Sequence, residues 1–328
     1  MNFADRLANA IREKGSYVCV GIDPRVRGLP PTLRPDSCGR IGEDRGCVQA
    51  AVERFCGDII EAVAPYAACV KPQSALFEAL GAGGTELMWR LAAKAQGLGL
   101  PVIIDAKRND IGSTAEAYAE AFFRGETRAD ALTVNPYLGT DGVKPFVDAA
   151  DKIGAGLFVL VKTSNPSSRE LQDLKVRTPG GEKRVYEHIG DLVSEWGDAV
   201  IGECGYSAVG AVVGATYPAQ LVELRARLPH VPFLVPGYGA QGGAAADVIG
   251  AFDAEGLGAV VNSSRGITQA WEKAEGGEKR YAEIAADAAR WMRDEINEAL
   301  RGRLAALRFV DPEEELQMRD EINKALRG

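Results

Sequence analysis

Short apolar runs recur along the chain, and each of them ends in polar residues or glycine. Most of these runs are apolar throughout rather than at every second position, which is typical of parallel strands covered on both faces. We therefore expect eight buried strands, which cover residues 17–23, 68–73, 101–107, 131–136, 156–164, 211–216, 232–239 and 259–264.

Segments with a helical spacing of apolar residues lie between the predicted strands. The clearest of them cover residues 84–96, 113–123, 185–196 and 218–227. This alternation favours an α/β fold, the (β/α)8 TIM barrel, over an open doubly wound sheet. Phe3, Leu7 and Ile11 also recur at helical spacing, so a helix within residues 1–14 is expected to close the bottom of the barrel.

Two segments depart from the barrel pattern. Residues 24–46 are rich in Pro, Gly and Arg and indicate an insertion after the first strand. Residues 292–302, MRDEINEALRG, recur as residues 318–328, MRDEINKALRG, with one difference. We predict a barrel domain over residues 1–302 and a C-terminal helical extension over residues 303–328. The extension could dock on the surface, extend a dimer contact or have no role, and the sequence leaves these three open.

Composition and charge narrow the function. The chain has 328 residues, of which 46% are hydrophobic and 26% charged, an ordinary globular composition. Its formal net charge of −8, with no basic run to offset it, argues against a nucleic-acid partner. No apolar stretch reaches membrane-spanning length, and residues 1–15 lack the apolar core of a signal peptide. Six cysteines without a CxxC pair, beside two histidines, argue against a zinc site. We expect a reduced, cytoplasmic protein.

The most informative segment reads Asp-Ala-Lys-Arg-Asn-Asp-Ile-Gly-Ser-Thr and covers residues 105–114. Asp105 and Lys107 stand two apart at the end of a predicted strand, so their side chains should point to the same side, into the barrel mouth. Asp110 follows in the turn, and Thr114 lies one helical turn beyond it. Charged residues at the C-terminal ends of barrel strands are where barrel enzymes do their chemistry.

Two further charged residues end the first and second strands. Asp23 stands in Gly-Ile-Asp-Pro, and Lys71 stands in Val-Lys-Pro-Gln. Charges that converge on one mouth are unfavourable unless they are paired. An ion-pair network that only braces the barrel rim is the structural alternative. The apolar strand before Asp105 places the group inside the barrel rather than on a solvated face, which favours catalysis.

A glycine-rich turn and an arginine indicate an anion site at the ends of the seventh and eighth strands. The turn, residues 236–243, reads Pro-Gly-Tyr-Gly-Ala-Gln-Gly-Gly, and Arg265 ends the eighth strand. Glycines let the backbone approach an anion closely, and the helix N-terminus that follows favours negative charge. Loops after these two strands bind phosphate in many barrels. We therefore predict a phosphate site that includes Pro236, Gly237 and Arg265.

The spacing Asp-x-Lys-x-x-Asp-Ile-Gly-x-Thr after a strand resembles the signature of the orotidine 5′-phosphate decarboxylases, in the longer form that has Lys-Pro-Gln at the upstream lysine. The resemblance extends from Val20 to Arg265, in the expected order. It implies decarboxylation of orotidine 5′-monophosphate to uridine 5′-monophosphate and carbon dioxide, in de novo pyrimidine biosynthesis. It also implies that the enzyme needs neither a cofactor nor a metal, and that it is a homodimer with shared active sites.

The resemblance further implies a role for each matching residue. Lys71, Asp105, Lys107 and Asp110 would form an alternating Lys–Asp–Lys–Asp array, with Asp110 and Thr114 reaching the site of the partner subunit. Lys107 would stabilise the carbanion at C6 of the pyrimidine and then protonate it. The substrate contacts would be Asp23 and Lys71 near the ribose hydroxyls, Ser164 at the pyrimidine edge, and Gln241 and Arg265 at the 5′-phosphate.

Two other functions stay open on the residues alone. A metal-dependent sugar-phosphate decarboxylase or aldolase of the same barrel superfamily would use a similar array, but the segments at 111–114 and 164–166 fit the nucleotide enzyme better. A catalytically inactive barrel that binds a phosphometabolite is the other alternative. Such a binder would have no use for carboxylates beside an anionic ligand.

Overall fold

The protein is a (β/α)8 barrel in the computed structural model, which describes residues 1–34, 45–239 and 244–307. The strands in these ranges are β1 (Val18–Ile22), β2 (Cys69–Pro72), β3 (Ile103–Arg108), β4 (Ala131–Val134), β5 (Gly156–Lys162), β6 (Lys175–Thr178), β7 (Gly181–Arg184), β8 (Val209–Val213), β9 (Phe233–Pro236) and β10 (Ala259–Ser263). The α-helices are α1 (Phe3–Lys14), α2 (Arg45–Val63), α3 (Ser74–Glu78), α4 (Ala82–Gly97), α5 (Gly112–Phe123), α6 (Thr140–Asp151), α7 (Val185–Gly197), α8 (Pro218–Arg227), α9 (Ala245–Val248), α10 (Arg265–Thr268) and α11 (Tyr281–Leu307).

One parallel sheet of 8 strands, in the order β2-β1-β10-β9-β8-β5-β4-β3, forms the barrel wall. Parallel bridges from Val70 to Val102 and from Gln73 to Asp105 bring the edge strands β2 and β3 together, so the barrel is nearly closed. β6 and β7 stand apart as an antiparallel hairpin. The carboxyl ends of the parallel strands therefore meet at one mouth.

Each predicted strand has a counterpart in this barrel, which confirms the predicted fold class. The largest shift is in β8, which covers Val209–Val213 where the sequence predicts 211–216. The end of that predicted run is Gly-Ala-Thr, and it forms the turn out of the strand, although Gly214 and Ala215 still donate to carbonyls at the ends of β5 and β9. Helix α8 covers the predicted residues 218–227.

The core has two layers because both faces of each strand are covered. In β1, Val18, Val20 and Ile22 belong to the layer between the strands and the outer helices. Cys19 belongs instead to the layer inside the barrel, together with Phe158 of β5. This double burial explains why the strands are apolar throughout.

Helix α1 packs into the inner layer, as its spacing of apolar residues predicts. Phe3, Leu7 and Ile11 are buried, and the ring of Phe3 meets that of Phe158 edge-on, with 5.8 Å between the centroids. Asn2 caps the helix by accepting the backbone N–H of Asp5. α1 thus closes one end of the barrel and leaves the other end open.

The two irregular segments are described in part. Residues 26–28 and 31–33 of the predicted insertion form short 3-10 turns, and residues 35–44 lie outside the described residues. Helix α11 continues through Gly302 to Leu307. The second copy of the duplicated segment also lies outside the described residues, so the division of the chain at residue 302 stays a prediction.

Candidate active site

Asp105 of β3 is the centre of the charged cluster at the barrel mouth. Its Oδ2 lies 2.8 Å from Nζ of Lys71, at the end of β2, and its Oδ1 lies 2.5 Å from Nζ of Lys107. Asp105 and Lys71 are 6% and 4% exposed, whereas Lys107 is exposed. The buried carboxylate of Asp105 therefore holds Lys71 within the barrel wall and Lys107 at the open mouth of the barrel.

Two neutral side chains, which the sequence does not single out, complete the coordination of Asp105. Gln73 donates to Oδ2 at 3.1 Å, and the hydroxyl of Thr133 donates to Oδ1 at 3.0 Å. Thr133 is a buried polar residue within the apolar strand β4, which is the one signal in the sequence that marks it. With four donors on two oxygens, the orientation of the carboxylate is firmly determined.

The backbone of β3 is irregular at this point. Its pairing with β4 shifts register between Ile104 and Arg108, as in a β-bulge. Lys107 has φ 48°, in the left-handed region that non-glycine residues rarely adopt. Its backbone N–H donates to the hydroxyl of Thr133 at 2.9 Å. The contact between Lys107 and Asp105 thus depends on a bulge and not on the regular alternation of a strand.

The charges of the cluster stabilise one another. Burial raises the pKa of Asp105, but the charges of Lys71 and Lys107 outweigh burial and hold that pKa below its usual range. Burial lowers the pKa of Lys71, but the charges of Asp105 and Asp23 outweigh burial and raise it above its usual range. Both shifts favour the charged forms, so Asp105 and Lys71 are an ion pair at neutral pH.

Asp23 lies next to this cluster, after β1. Strands β1 and β2 pair in register from Cys19–Cys69 to Ile22–Pro72, which places Asp23 beside the end of β2. The Oδ1 atom of Asp23 is buried and has no hydrogen-bond partner among the described residues. A buried acceptor without a partner is unfavourable, so this oxygen is available to a donor on a ligand.

The predicted phosphate site lies at the ends of β9 and β10, which are neighbours in the barrel. Pro236 pairs in register with Asn262, three residues before Arg265, and Arg265 is exposed at the start of α10. Gly237 has φ 107°, a conformation that a side chain would strain. The structure therefore brings Pro236, Gly237 and Arg265 to one place, whereas Gln241 lies outside the described residues.

The remaining predicted residues stand away from the ion pair. Ser164 follows β5 and is half-buried. Asp110 accepts the backbone N–H of Ile111 at 2.8 Å, and no ion pair joins it to Lys71 or Lys107 within the described part of the chain. Thr114 is exposed in the first turn of α5. One chain thus assembles three members of the predicted array, and the fourth, half-buried Asp110, is not paired with them in the described part of the chain.

Two further features concern a metal ion and a membrane, within residues 1–34, 45–239 and 244–307. These ranges contain no group of three or more His, Cys, Asp or Glu side chains that could hold a metal ion. No helix within the same ranges is both long enough and apolar enough to cross a membrane.

Comparison of the sequence and comparison of the structure with known proteins point to the same family. Residues 16–279 match the family described as Orotidine 5′-phosphate decarboxylase / HUMPS. The orotidine 5′-phosphate decarboxylase of Rhodopirellula baltica is 49% identical over 92% of this chain and its own whole length. That of Deinococcus radiodurans is 43% identical over 91% of this chain and 98% of its own. A crystal structure from Toxoplasma gondii, assigned as an orotidine-monophosphate-decarboxylase, superimposes with a TM-score of 0.76 at 33% identity, over 93% of this chain and 99% of that one.

Proposed function

This chain belongs to the orotidine 5′-phosphate decarboxylase family, and we propose that Asp105 and Lys107 carry out its reaction directly. The reaction is the decarboxylation of orotidine 5′-monophosphate to uridine 5′-monophosphate, in pyrimidine biosynthesis. The observation that supports the proposal is the buried carboxylate of Asp105, held between Lys71 and Lys107 at 2.8 and 2.5 Å. The exposed lysine of this trio faces the mouth, where a ligand would enter.

The chemistry requires one bond to break and one to form at C6 of the pyrimidine. When the C6–carboxylate bond breaks, its electron pair stays at C6, in the plane of the ring, where ring resonance cannot spread it. The ammonium of Lys107 stabilises that charge electrostatically and then donates a proton, which forms the C6–H bond. Lys107 regains its proton from solvent, which its exposed side chain can reach.

Asp105 acts on the substrate carboxylate. The side chain of Asp105 cannot turn away from a bound ligand, because Gln73 and Thr133 hold it together with the two lysines. A substrate carboxylate placed against it is repelled, and the repulsion is relieved when neutral carbon dioxide leaves. Lys71 keeps Asp105 ionised throughout.

The rest of the mouth binds the other parts of the nucleotide. The unpartnered Oδ1 of Asp23, with Lys71 beside it, is suited to accept a hydrogen bond from a ribose hydroxyl. Pro236, Gly237 and Arg265, with Gln241 of the same loop, bind the 5′-phosphate. Ser164 hydrogen-bonds the edge of the pyrimidine. The substrate is thus held at three points around the Asp105–Lys107 pair, and no metal or cofactor takes part.

We further propose a homodimer in which Asp110 and Thr114 complete the site of the partner subunit. Apolar side chains are exposed on the same side of the barrel as these residues, and such patches mark association surfaces. Tyr137 is 75% exposed and Leu138 43%. Leu138 lies beside Asp110, because a Cβ atom on Gly142 would be 2.8 Å from Cβ of Leu138 and 3.3 Å from the carbonyl oxygen of Asp110. The enzyme would act in the cytoplasm, where cysteine thiols stay reduced.

Turnover by a Lys107→Ala variant tests the proposal. We expect decarboxylation, followed as loss of orotidine monophosphate absorbance, to be abolished, because Lys107 acts on charge that develops only in the transition state. Binding of uridine monophosphate, measured by calorimetry, should be largely retained.

The control is Lys94→Ala, which removes a surface lysine paired with Glu61 and should leave turnover unchanged. Near-normal kcat in Lys107→Ala would contradict the mechanism. A chelator should not affect wild-type turnover, and loss of activity on chelation would favour the metal-dependent alternative.

A further inference from the structure

Lys162, the last residue of β5, is a buried cation outside the predicted site. Its side chain is 0% exposed, and its Nζ lies 2.5 Å from Oδ1 of Asp173. The same Nζ stands 4.8 Å from the centroid of the Tyr217 ring and 5.5 Å from that of Tyr186. A buried ammonium is unfavourable unless it is paired, so the arrangement depends on Asp173 and on the faces of the two aromatic rings.

The ion pair closes a loop. Asp173 follows Lys162 by eleven positions, and the chain between them leaves the barrel wall and returns to it. Gln172 joins the same two ends of the loop, which we call the loop base. Its Oε1 accepts a hydrogen bond from the backbone N–H of Thr163 at 2.9 Å, and its Nε2 donates to the Thr163 hydroxyl at 2.8 Å. The two ends of the loop are therefore joined by one ion pair and two hydrogen bonds.

Ser164 follows Thr163 directly and is therefore the first residue of the loop beyond the loop base. On its other side is Gly214, just after β8, whose backbone N–H donates to the carbonyl of Lys162 at 2.8 Å. A Cβ atom on Gly214 would be 2.9 Å from Cβ of Ser164 and 3.0 Å from its backbone nitrogen. Ser164 is thus held between the end of β8 and the loop base that Lys162 and Asp173 close.

We propose that Lys162 and Asp173 are positioning residues that hold Ser164 in place for recognition of the pyrimidine. Neither residue touches the substrate; both act through the backbone on either side of Ser164. The inference rests on the proposed role of Ser164 in substrate binding. It gives a reason for a fully buried lysine at the end of β5.

The test is the affinity of two ligands for a Lys162→Met variant. Methionine fills the same space, and Asp173, whose side chain is 27% exposed, can be solvated when the lysine is gone. The affinity for uridine monophosphate and the KM for substrate should each worsen about tenfold, the effect of one weakened hydrogen bond. The affinity for ribose 5-phosphate, which has no pyrimidine, should not change. Asp173→Asn, which weakens the pair but keeps an oxygen that accepts from the Lys162 ammonium, should give a smaller form of the same pattern and serves if Lys162→Met does not fold.

The matched control is Lys183→Met. It breaks an ion pair with Asp191, 2.6 Å long, that joins β7 to α7 and does not involve Thr163, Gln172 or Asp173. This variant should bind both ligands as the wild type does. Equal losses for uridine monophosphate and ribose 5-phosphate in Lys162→Met would show a merely structural role and overturn the proposal.

A double-mutant cycle with Ser164→Ala separates the proposal from its premise. If Ser164→Ala leaves the affinity for uridine monophosphate unchanged, the assigned role of Ser164 is wrong. If Ser164→Ala weakens binding and Lys162→Met adds its full effect to that loss, the positioning role is wrong. We expect Lys162→Met to add little in the Ser164→Ala background.

Discussion

Lys107, the proposed proton donor, has a strained backbone. Its φ of 48° is the only positive value among the non-glycine residues of the described ranges. A left-handed conformation disfavours any side chain with a Cβ atom by about 1–2 kcal/mol. The strain is a consequence of the bulge that brings Nζ of Lys107 to Asp105, so the site is built at the expense of local stability.

This strain predicts a difference between two inactive variants. Lys107→Gly should be more stable than Lys107→Ala by about 1 kcal/mol, because only alanine retains the strained Cβ. Denaturant unfolding of both variants measures the difference. At Arg290, an exposed position within α11, the order should reverse, with alanine more stable by about 1 kcal/mol. If the alanine variant were the more stable one at both positions, Lys107 would not be strained.

The lowered pKa of Asp105 predicts how its contribution to stability depends on pH. The contribution is present above the unfolded-state pKa of about 4 and is lost as the pH falls toward the lower folded-state value. Asp105→Asn should therefore destabilise the protein by about 3 kcal/mol near pH 7, since it leaves Lys71 buried without its partner.

The gap between wild type and Asp105→Asn should narrow below about pH 4. Denaturant midpoints measured from pH 3 to 8 give this profile. Asp148→Asn, which removes an exposed ion pair with Lys144, should have a small effect at each pH. If the difference in stability between wild type and Asp105→Asn grew as the pH fell, the pKa of Asp105 would not be lowered in the folded protein.

At the residue scale, the motif marks the charged residues that the structure brings together around Asp105, and it does not mark the two neutral residues that also contact this carboxylate. Lys71, Asp105 and Lys107 stand in a recognisable spacing at strand ends. Gln73 and Thr133 hold the carboxylate but carry no charge, and a single polar residue in a strand has no pattern. The bulge was also not predicted, because nothing in an Asp-Ala-Lys run marks a register shift.

At the scale of elements, helix α11 contacts the predicted phosphate loop. The hydroxyl of Tyr238, between Gly237 and Gly239, donates to Glu295 of α11. Burial and the charge of Glu295 both raise the pKa of Tyr238, so the phenol keeps its proton and remains a donor. The loop that follows β9 is therefore attached to the outer layer of helices.

We predict that Tyr238→Phe raises the KM for orotidine monophosphate about three- to tenfold, the effect of one hydrogen bond. The slow turnover of orotidine, which has no phosphate, should not change. Tyr281→Phe is the matched control, because it removes a similar bond from α11 to Asp58 of α2. Equal effects on both substrates would show that Tyr238 does not act through the phosphate.

Elements with an apolar pattern were predicted well, and those without one were not. Every barrel strand was found because burial on both faces requires a continuous apolar run. The hairpin of β6 and β7 was missed because its strands, Lys-Val-Arg-Thr and Gly-Glu-Lys-Arg, are largely polar and exposed. Its position is determined by contacts with the barrel and not by local pattern.

At the scale of the whole molecule, the proposed dimer, in which Asp110 completes the partner's site, predicts complementation between inactive subunits. Lys107→Ala and Asp110→Asn should each be nearly inactive alone. In a mixed dimer one site carries both changes and the other carries neither. With random mixing, about half of the dimers are mixed and half of their sites are intact, so about a quarter of wild-type activity should return.

Refolding the two variants together and assaying the mixture tests this arrangement. The control mixture pairs Lys107→Ala with Asp105→Asn, both of which affect residues contributed by the same chain, and it should recover nothing. Absence of recovery in the first mixture, with mixed dimers shown by native mass spectrometry, would place Asp110 in its own barrel.

The closure of the barrel has a consequence for its motions. Between β2 and β3 the described backbone pairs only at the Val70–Val102 and Gln73–Asp105 bridges, and the Lys71–Asp105 ion pair spans the same seam. Local opening should begin where backbone pairing is sparsest. Amide hydrogen exchange at this seam should therefore be faster than between strands with longer ladders, such as β1–β2 and β5–β8, and a bound nucleotide should slow it. Asp105, which we propose acts on the substrate, also joins the two edge strands of the barrel through Lys71. Occupancy of the site should therefore protect the protein from proteolysis.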